Sequence, residues 1–172
     1  MELEEVLKNR HSIRKFQKKD IPDNIIKRIL GLANLSPSAG NLQARSVVIV
    51  KDEKIREKIS EATMAQHFVA KAPVVFVICA NLEESAIKYG KRGRELYAIQ
   101  DATIFASYLQ LAVTLLKLSS CWVGAFNEDK IKKILDLPEQ IRPVVIMPTG
   151  FADEQAFFTG RKGLDEIIKK HI

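Results

Sequence analysis

The stretch of residues 95–118 places the strongest constraint on the fold of this chain. Its composition is helical, yet it has almost no polar face, because large apolar side chains would point in every direction around the helix. A helix that is apolar on all sides is buried on all sides. In a chain of 172 residues we therefore expect one side of it to lie against a second subunit, with Ala98, Ala102 and Ala106 letting a partner helix approach closely. The sequence thus predicts a homodimer arranged around one long buried helix.

The overall composition indicates a single domain covering residues 1–172. Hydrophobic residues make up 47% of the chain, with only 6 prolines and 8 glycines, which disfavours disorder. The formal net charge of +6 favours anionic partners such as nucleotides, phosphorylated cofactors or nucleic acid. The acidic start of the chain does not resemble a signal peptide, and the longest uncharged run, between Asp101 and Lys117, is too short to cross a bilayer. We expect a cytoplasmic protein without membrane contact.

Local patterns predict helices and strands that are interleaved irregularly. Besides the long helix, helices are predicted over residues 2–9, between the turns at 20–23 and 34–37, and over residues 52–63 and 128–135. Strands are predicted at residues 46–50, 73–80, 120–124 and 142–147, of which the apolar run 73–80 should lie in the middle of a sheet. This order indicates an α+β fold with a central mixed or antiparallel sheet flanked by helices.

A basic segment directly follows the first short helix. Arg10 and Arg14 carry planar guanidinium groups that match phosphate oxygens, and the Ser12 hydroxyl can add a neutral hydrogen bond. Ile13 and Phe16 supply apolar side chains that would hold the segment against a core. The pattern predicts an anion site, although a basic face in contact with solvent has the same composition.

The sequence shows no arrangement of catalytic or metal-binding side chains. Its three histidines lie in no zinc-binding pattern, and no nucleophile elbow, Walker loop or dinucleotide fingerprint occurs. Cys79 and Cys121 lie in separate apolar segments without metal-ligand spacing, so we interpret both as reduced core residues. A bound cofactor is therefore the expected source of any chemistry, with no catalytic side chain and no metal.

Four separated segments occur in an order that resembles the FMN-dependent nitroreductase family. They are residues 10–16, 37–43, 123–126 and 160–162, and the likeness extends over essentially the whole chain. The arginine and serine pattern of the first segment, followed at this distance by a Pro-Ser-x-x-Asn-x-Gln loop, is fairly specific because two motifs must coincide. The resemblance implies an α+β nitroreductase-like sandwich and an intimate homodimer with two FMN molecules at the subunit interface.

The resemblance also implies which residues would hold the phosphate end of FMN. Arg10, Ser12 and Arg14 would bind the phosphate, the ribityl chain and the pyrimidine edge. The Arg161 guanidinium would close on the phosphate, and His11 would contribute mainly through its backbone. A dianionic phosphate needs fixed guanidinium groups, which agrees with the anion site predicted from the residues alone.

Two further segments would contact the flavin ring by the same resemblance. Pro37, Ser38 and Asn41 would reach the flavin from the other subunit. The main chain at Gly124 and Ala125 would place an N–H near the reactive flavin nitrogen. A loop of small residues suits this role because it lets the backbone approach a stacked ring closely.

A few positions differ from the common pattern of that family. Ala44 and Arg45 stand where a proline and an aromatic residue are frequent, and Gly124 stands where many members have glutamate. Gln66 is a further candidate for the edge of the flavin ring, or a polar residue at a helix exit.

The function implied by the resemblance is electron transfer from NADH or NADPH to an electron-poor acceptor such as a nitroaromatic or a quinone. A specialised reaction on the same fold, such as reductive dehalogenation or flavin fragmentation, is an open alternative. An alternative of another class is RNA binding, since the stretch from Gly90 to Gly93 resembles the phosphate-clamping GxxG loop of KH domains. The aromatic residues are not grouped for base stacking, which favours the flavin enzyme over a nucleic-acid partner.

Overall fold

Residues 2–64 and 66–170 are described by a computed structural model of the chain. The helices are α1 (Leu3–Asn9), α2 (Asp23–Ala33), α3 (Glu53–Glu61), α4 (Phe68–Lys71), α5 (Leu82–Arg92), α6 (Ala98–Leu115), α7 (Glu128–Ile134) and α8 (Leu164–Ile167). The strands are β1 (Arg45–Val50), β2 (Val74–Asn81), β3 (Ser119–Ser120) and β4 (Ile141–Gly150). A 3-10 turn at Ala39–Asn41 precedes β1, and a π-helical turn at Gly93–Tyr97 leads from α5 into α6. The predicted α+β class is confirmed.

The four strands form one antiparallel sheet in the order β1-β2-β4-β3. The register places Val50 of β1 opposite Val75 of β2, and Thr149 of β4 opposite Val74 of β2. Every residue at positions 74–80 is fully buried, because β2 has a neighbour on each side and helices on each face. This confirms the prediction that the apolar run is a central strand.

Alternate side chains of β2 face two separate cores. Val74 and Phe76 pack with α2 and α6, whereas Val75 and Cys79 pack with α3 and α7. The alternation follows from the two-residue repeat of an extended strand, and it makes the fold a sandwich of helix, sheet and helix layers. Burial raises the pKa of the Cys79 thiol to about 12, so the thiol stays neutral at physiological pH and behaves as an apolar core residue, as predicted.

Helix α6 is shorter at both ends than the helix predicted over residues 95–118, since the π-helical turn precedes it and it ends at Leu115. Ala98, Ala102 and Ala106 are 0% exposed within the chain's own core, so the prediction that they receive a partner helix is wrong. Small side chains instead let α6 lie close to its own sheet. The open side of α6 carries Tyr108. Among the described residues no helix, α6 included, is long and apolar enough to cross a membrane.

The last two strands also differ from the prediction. The strand predicted at residues 120–124 is reduced to β3 and an isolated bridge at Val123. Strand β4 continues through Pro148, where the prediction had already ended it. Proline has no N–H, but the Pro148 carbonyl accepts a hydrogen bond from the Cys121 N–H at 3.2 Å, so the ladder extends past it.

After β4 the chain returns to the basic segment that follows α1. Phe16 pairs with Ala152 in an antiparallel bridge. One carboxylate oxygen of Glu154, Oε1, accepts hydrogen bonds from the N–H groups of Arg14 at 2.6 Å and Lys15 at 3.2 Å. These contacts fix the start of the C-terminal tail, and from position 153 to 170 the tail residues are exposed.

Replacing Glu154 by alanine should loosen this junction, because two backbone N–H groups lose their shared acceptor. We expect a loss of about 1 kcal/mol, or about fivefold faster amide exchange, in the peptide covering residues 12–17. The measurement is hydrogen exchange by mass spectrometry. Glu154→Gln keeps an amide oxygen at the same place, and as the matched control it should stay within about twofold of the wild type. Equal exchange in Glu154→Ala and the wild type would contradict the contact.

Candidate functional site

A cleft of about 180 Å³ lies between the basic segment and the C-terminal tail. Its lining residues are Arg10, His11, Ser12, Arg14, Phe157, Phe158, Thr159 and Arg161. The structure therefore brings residues from opposite ends of the chain into one place. Three guanidinium groups and two hydroxyl groups around a small cleft are a donor set suited to an anion.

The N-terminal wall of the cleft is an extended segment that begins where α1 ends. Arg10 follows α1 with an extended backbone, at φ −72° and ψ 106°. Ile13 and Phe16 are only 4% and 7% exposed, whereas Ser12 and Arg14 face solvent. The segment is held in place by a hydrogen bond of 3.1 Å from the Ile13 N–H to the Ser120 carbonyl of β3. Burial of Ile13 and Phe16 thus holds the segment against the core and leaves Ser12 and Arg14 to line the cleft.

The arginines of the cleft lie on two chain segments, and Arg14 and Arg161 have different local contacts. The Arg161 Nη1 atom donates to the carbonyls of Thr159 and Gly160, both at 2.8 Å. A guanidinium has five N–H groups, so Arg161 keeps further N–H donors for a ligand. Arg14 lies 6.0 Å from the centre of the Phe68 ring, a position in which the aromatic face supports the cation. The arrangement concentrates positive charge without fixing every donor.

Cys121 lies beneath the basic segment and is 2% exposed. Burial raises the pKa of its thiol, while the Arg14 charge and a hydrogen bond with Ser12 partly oppose that shift. A neutral, buried thiol is a poor nucleophile. Cys121 therefore acts as packing below the cleft, in agreement with its prediction as a core residue.

A larger groove of about 520 Å³ lies on the other side of Arg14. Arg14 is part of the lining of both spaces, and Phe68 and Lys71 face it in the groove. Phe68 and Lys71 were not predicted from the sequence, and neither were Phe157 and Phe158 of the cleft. An adjacent aromatic pair in a polar tail is a signal that could have identified the last two. No local pattern distinguishes Lys71 from the other lysines.

The main chain at Gly124 and Ala125 is exposed and directly follows the bridge at Val123. A Cβ atom on Gly124 would have the Trp122 Nε1 atom as its neighbour at 3.8 Å, so the backbone there is open. The Gln66 Nε2 atom donates to the Ala125 carbonyl at 3.1 Å. Gln66 therefore braces this segment.

Pro37, Ser38 and Asn41 do not line the cleft of their own chain. They belong to the loop between α2 and β1, which is closed by a hydrogen bond of 3.0 Å from the Gln43 N–H to the Ser38 hydroxyl. The resemblance assigned these residues to the site of a second subunit, and not to the cleft of their own chain.

The GxxG segment lies where α5 passes into the π-helical turn. Gly93 is buried, and a Cβ atom there would collide with the backbone carbonyl of Ser85. Close packing therefore explains this glycine without a nucleic-acid partner. Among residues 2–64 and 66–170, no group of three or more His, Cys, Asp or Glu side chains is arranged to hold a metal ion.

Known proteins are similar to nearly the whole chain. The Nitroreductase family model matches residues 7–71 and 62–151. A protein of Archaeoglobus fulgidus with the provisional name NADH dehydrogenase/NAD(P)H nitroreductase is 30% identical over 164 residues, which cover 91% of each chain. The NADH dehydrogenase of Thermus thermophilus is 27% identical over 186 residues, which cover 92% of this chain and 91% of that protein.

Among solved structures, the fold is similar to that of a nitroreductase family protein from Clostridium novyi NT. The two chains share 30% identity with a TM-score of 0.82, over 90% of this chain and 87% of the other. The family match contains the N-terminal wall of the cleft, the loop between α2 and β1, and the segment at Gly124. This chain therefore belongs to the nitroreductase family.

Proposed function

We propose that this protein is an FMN-dependent oxidoreductase that passes electrons from NADH or NADPH to an electron-poor acceptor such as a nitroaromatic or a quinone. The observation that carries the proposal is the convergence of Arg10, Ser12, Arg14 and Arg161 in one cleft. The activities named for its relatives support a nicotinamide donor.

We assign the protein to the cytoplasm, where reduced nicotinamide is available and where free, buried cysteines such as Cys79 remain reduced.

The cleft fits the phosphate end of FMN by its chemistry. A phosphate monoester carries close to two negative charges at neutral pH, and guanidinium groups bind it through paired hydrogen bonds. Arg10 and Arg161 would hold the phosphate, and the Ser12 hydroxyl would meet the ribityl chain. Arg14, which also borders the larger groove, would meet the pyrimidine edge. Donors from two separate segments would fix both the position and the direction of the cofactor.

When bound, FMN supplies the redox chemistry, accepting a hydride from the nicotinamide and passing electrons to the acceptor. The chain's own residues bind and orient the cofactor and set the charge around it. The positive field of Arg10 and Arg14 and a main-chain N–H at Gly124 or Ala125 would stabilise negative charge on the flavin, which favours hydride acceptance. No side chain is required as a general base.

We also propose a homodimer in which the loop that carries Ser38 and Asn41 completes the site of the partner. A monomer would leave many large apolar side chains in water. They include Leu3, Leu7, Leu35, Tyr108, Phe157, Phe158, Leu164, Ile167 and Ile168. Several of them surround an apolar groove of about 590 Å³ that α1, α2 and α6 form. Large exposed apolar surfaces of this kind mark interaction sites, and a second copy of the chain would cover this one.

Light scattering after size-exclusion chromatography should give twice the chain mass of 19.4 kDa. Leu111→Glu places a charge on the open side of α6, next to Tyr108 in the groove, and should shift the protein to the monomer. Gln140→Glu adds the same charge at an exposed position before β4, and as the control it should stay dimeric. A wild-type monomer would contradict the proposed assembly.

Replacing Arg14 by alanine should weaken FMN binding by about tenfold or more, because a hydrogen bond to a charged group contributes about 1.5–3 kcal/mol. The measurement is the change in flavin fluorescence as apoprotein is titrated into FMN. Arg28→Ala removes an exposed arginine of α2, and as the matched control it should leave the affinity unchanged. Equal affinity of Arg14→Ala and the wild type would place the cofactor elsewhere.

A further inference from the structure

Asp101 is a carboxylate inside the apolar helix α6, and it is 1% exposed. Both of its carboxylate oxygens accept hydrogen bonds from the loop between α2 and β1. The Oδ1 atom accepts a hydrogen bond from the Ala39 N–H at 2.9 Å, and Oδ2 accepts one from the Ala44 N–H at 3.2 Å. One buried side chain therefore anchors the loop at its middle and at its end.

The loop needs such anchors because its backbone is unfavourable. Gly40, Asn41 and Gln43 have φ values of 56°, 58° and 55°, in the left-handed region that residues with a side chain seldom adopt. Tyr89 of α5 packs against the loop, since a Cβ atom on Gly40 would collide with the Tyr89 hydroxyl. A backbone in this conformation persists only where surrounding contacts determine it.

A second charged side chain lies at the base of the same loop. The Arg45 Nη2 atom donates to the carbonyls of Asn34 and Ser36, both at 3.3 Å. Burial lowers the pKa of the Arg45 guanidinium, and the Asp101 charge partly opposes that shift. Buried charges are weak contributors to stability compared with apolar packing. Together, Asp101 and Arg45 instead hold the backbone between α2 and β1 in one defined path.

We propose that Asp101 is a positioning residue of the cofactor site, which holds the loop so that Ser38 and Asn41 are presented to the FMN of the partner subunit. The inference rests on the proposed function and dimer. Asp101 itself is buried below the loop and acts through Ala39 and Ala44. It thus couples the conformation of the loop to helix α6.

Asp101→Asn tests this role with little change of shape. An amide has one acceptor oxygen, and its NH₂ group would face the second N–H, so only one of the two hydrogen bonds can form. Thr114→Val is the matched control, because it removes a buried hydroxyl of α6 that bonds within the helix, to the Gln110 carbonyl at 3.1 Å. Both variants are compared with the wild type by amide exchange of residues 38–44 in the apoprotein and by FMN titration.

We expect Asp101→Asn to exchange faster at Ala39 and Ala44 and to bind FMN about tenfold more weakly. Thr114→Val should match the wild type in both measurements. Unchanged exchange in Asp101→Asn would overturn the anchoring role. Faster exchange with unchanged FMN affinity would overturn the positioning role, and so would an equal loss of affinity in Thr114→Val.

A second variant reaches the same contact from the loop side if Asp101→Asn does not fold. Ala39→Pro removes the N–H that donates to Asp101, and the extended backbone of Ser38, at φ −149° and ψ 159°, is compatible with a following proline. It should also weaken FMN binding, and unchanged affinity would overturn the proposal. A wild-type protein that takes up no FMN is a separate result, visible before any variant is made. It would refute the proposed function together with this inference.

Discussion

The seating of a positively charged, extended segment against the sheet is the interaction on which the proposed site depends. Guanidinium groups repel one another and stay hydrated, so they do not bring such a segment to a core by themselves. Burial of Ile13 and Phe16 and the hydrogen bond from the Ile13 N–H to β3 do so instead. On the other side, the Glu154 carboxylate accepts hydrogen bonds from the backbone N–H groups of Arg14 and Lys15. Because apolar contacts and the backbone hold the segment, its guanidinium groups are left for a ligand.

Helix α6 connects the other parts of the proposed site. Its face of small residues packs on the chain's own sheet, and its open side with Tyr108 contributes to the apolar groove. Between them Asp101 reaches the loop that carries Ser38 and Asn41. In a dimer formed through the open side, the element that joins the subunits would also be the one that sets the loop conformation. Assembly and cofactor binding would then be linked through a single helix.

Apolar patterns predicted the fold best where burial is two-sided or strictly periodic. The central position of β2 followed from an unbroken apolar run, since a strand buried on both faces has no polar alternation. The partner of α6 could not be predicted in the same way, because Ala98, Ala102 and Ala106 would be buried equally by a second subunit or by the chain's own sheet. Only the tertiary arrangement distinguishes the two.

The site was predicted in part. The convergence of the N-terminal arginines with Arg161 came from a family resemblance, since no local pattern links the two ends of the chain. Phe157 and Phe158 were missed because their role depends on where the tail returns. Asp101 was noted only as the end of an uncharged run. An acidic residue in a sequence looks the same whether water or two backbone N–H groups surround it, so its role as an anchor required the structure.

The visible absorption spectrum of the purified protein tests the proposed function most directly. It should be recorded without oxygen, first as isolated or after addition of FMN, and then after NADH and NADPH. We predict a flavin spectrum that bleaches with at least one of the two nucleotides, which would establish both the cofactor and the reductive half-reaction. A colourless protein that takes up no added FMN, or a bound flavin that neither nucleotide reduces, would contradict the proposal.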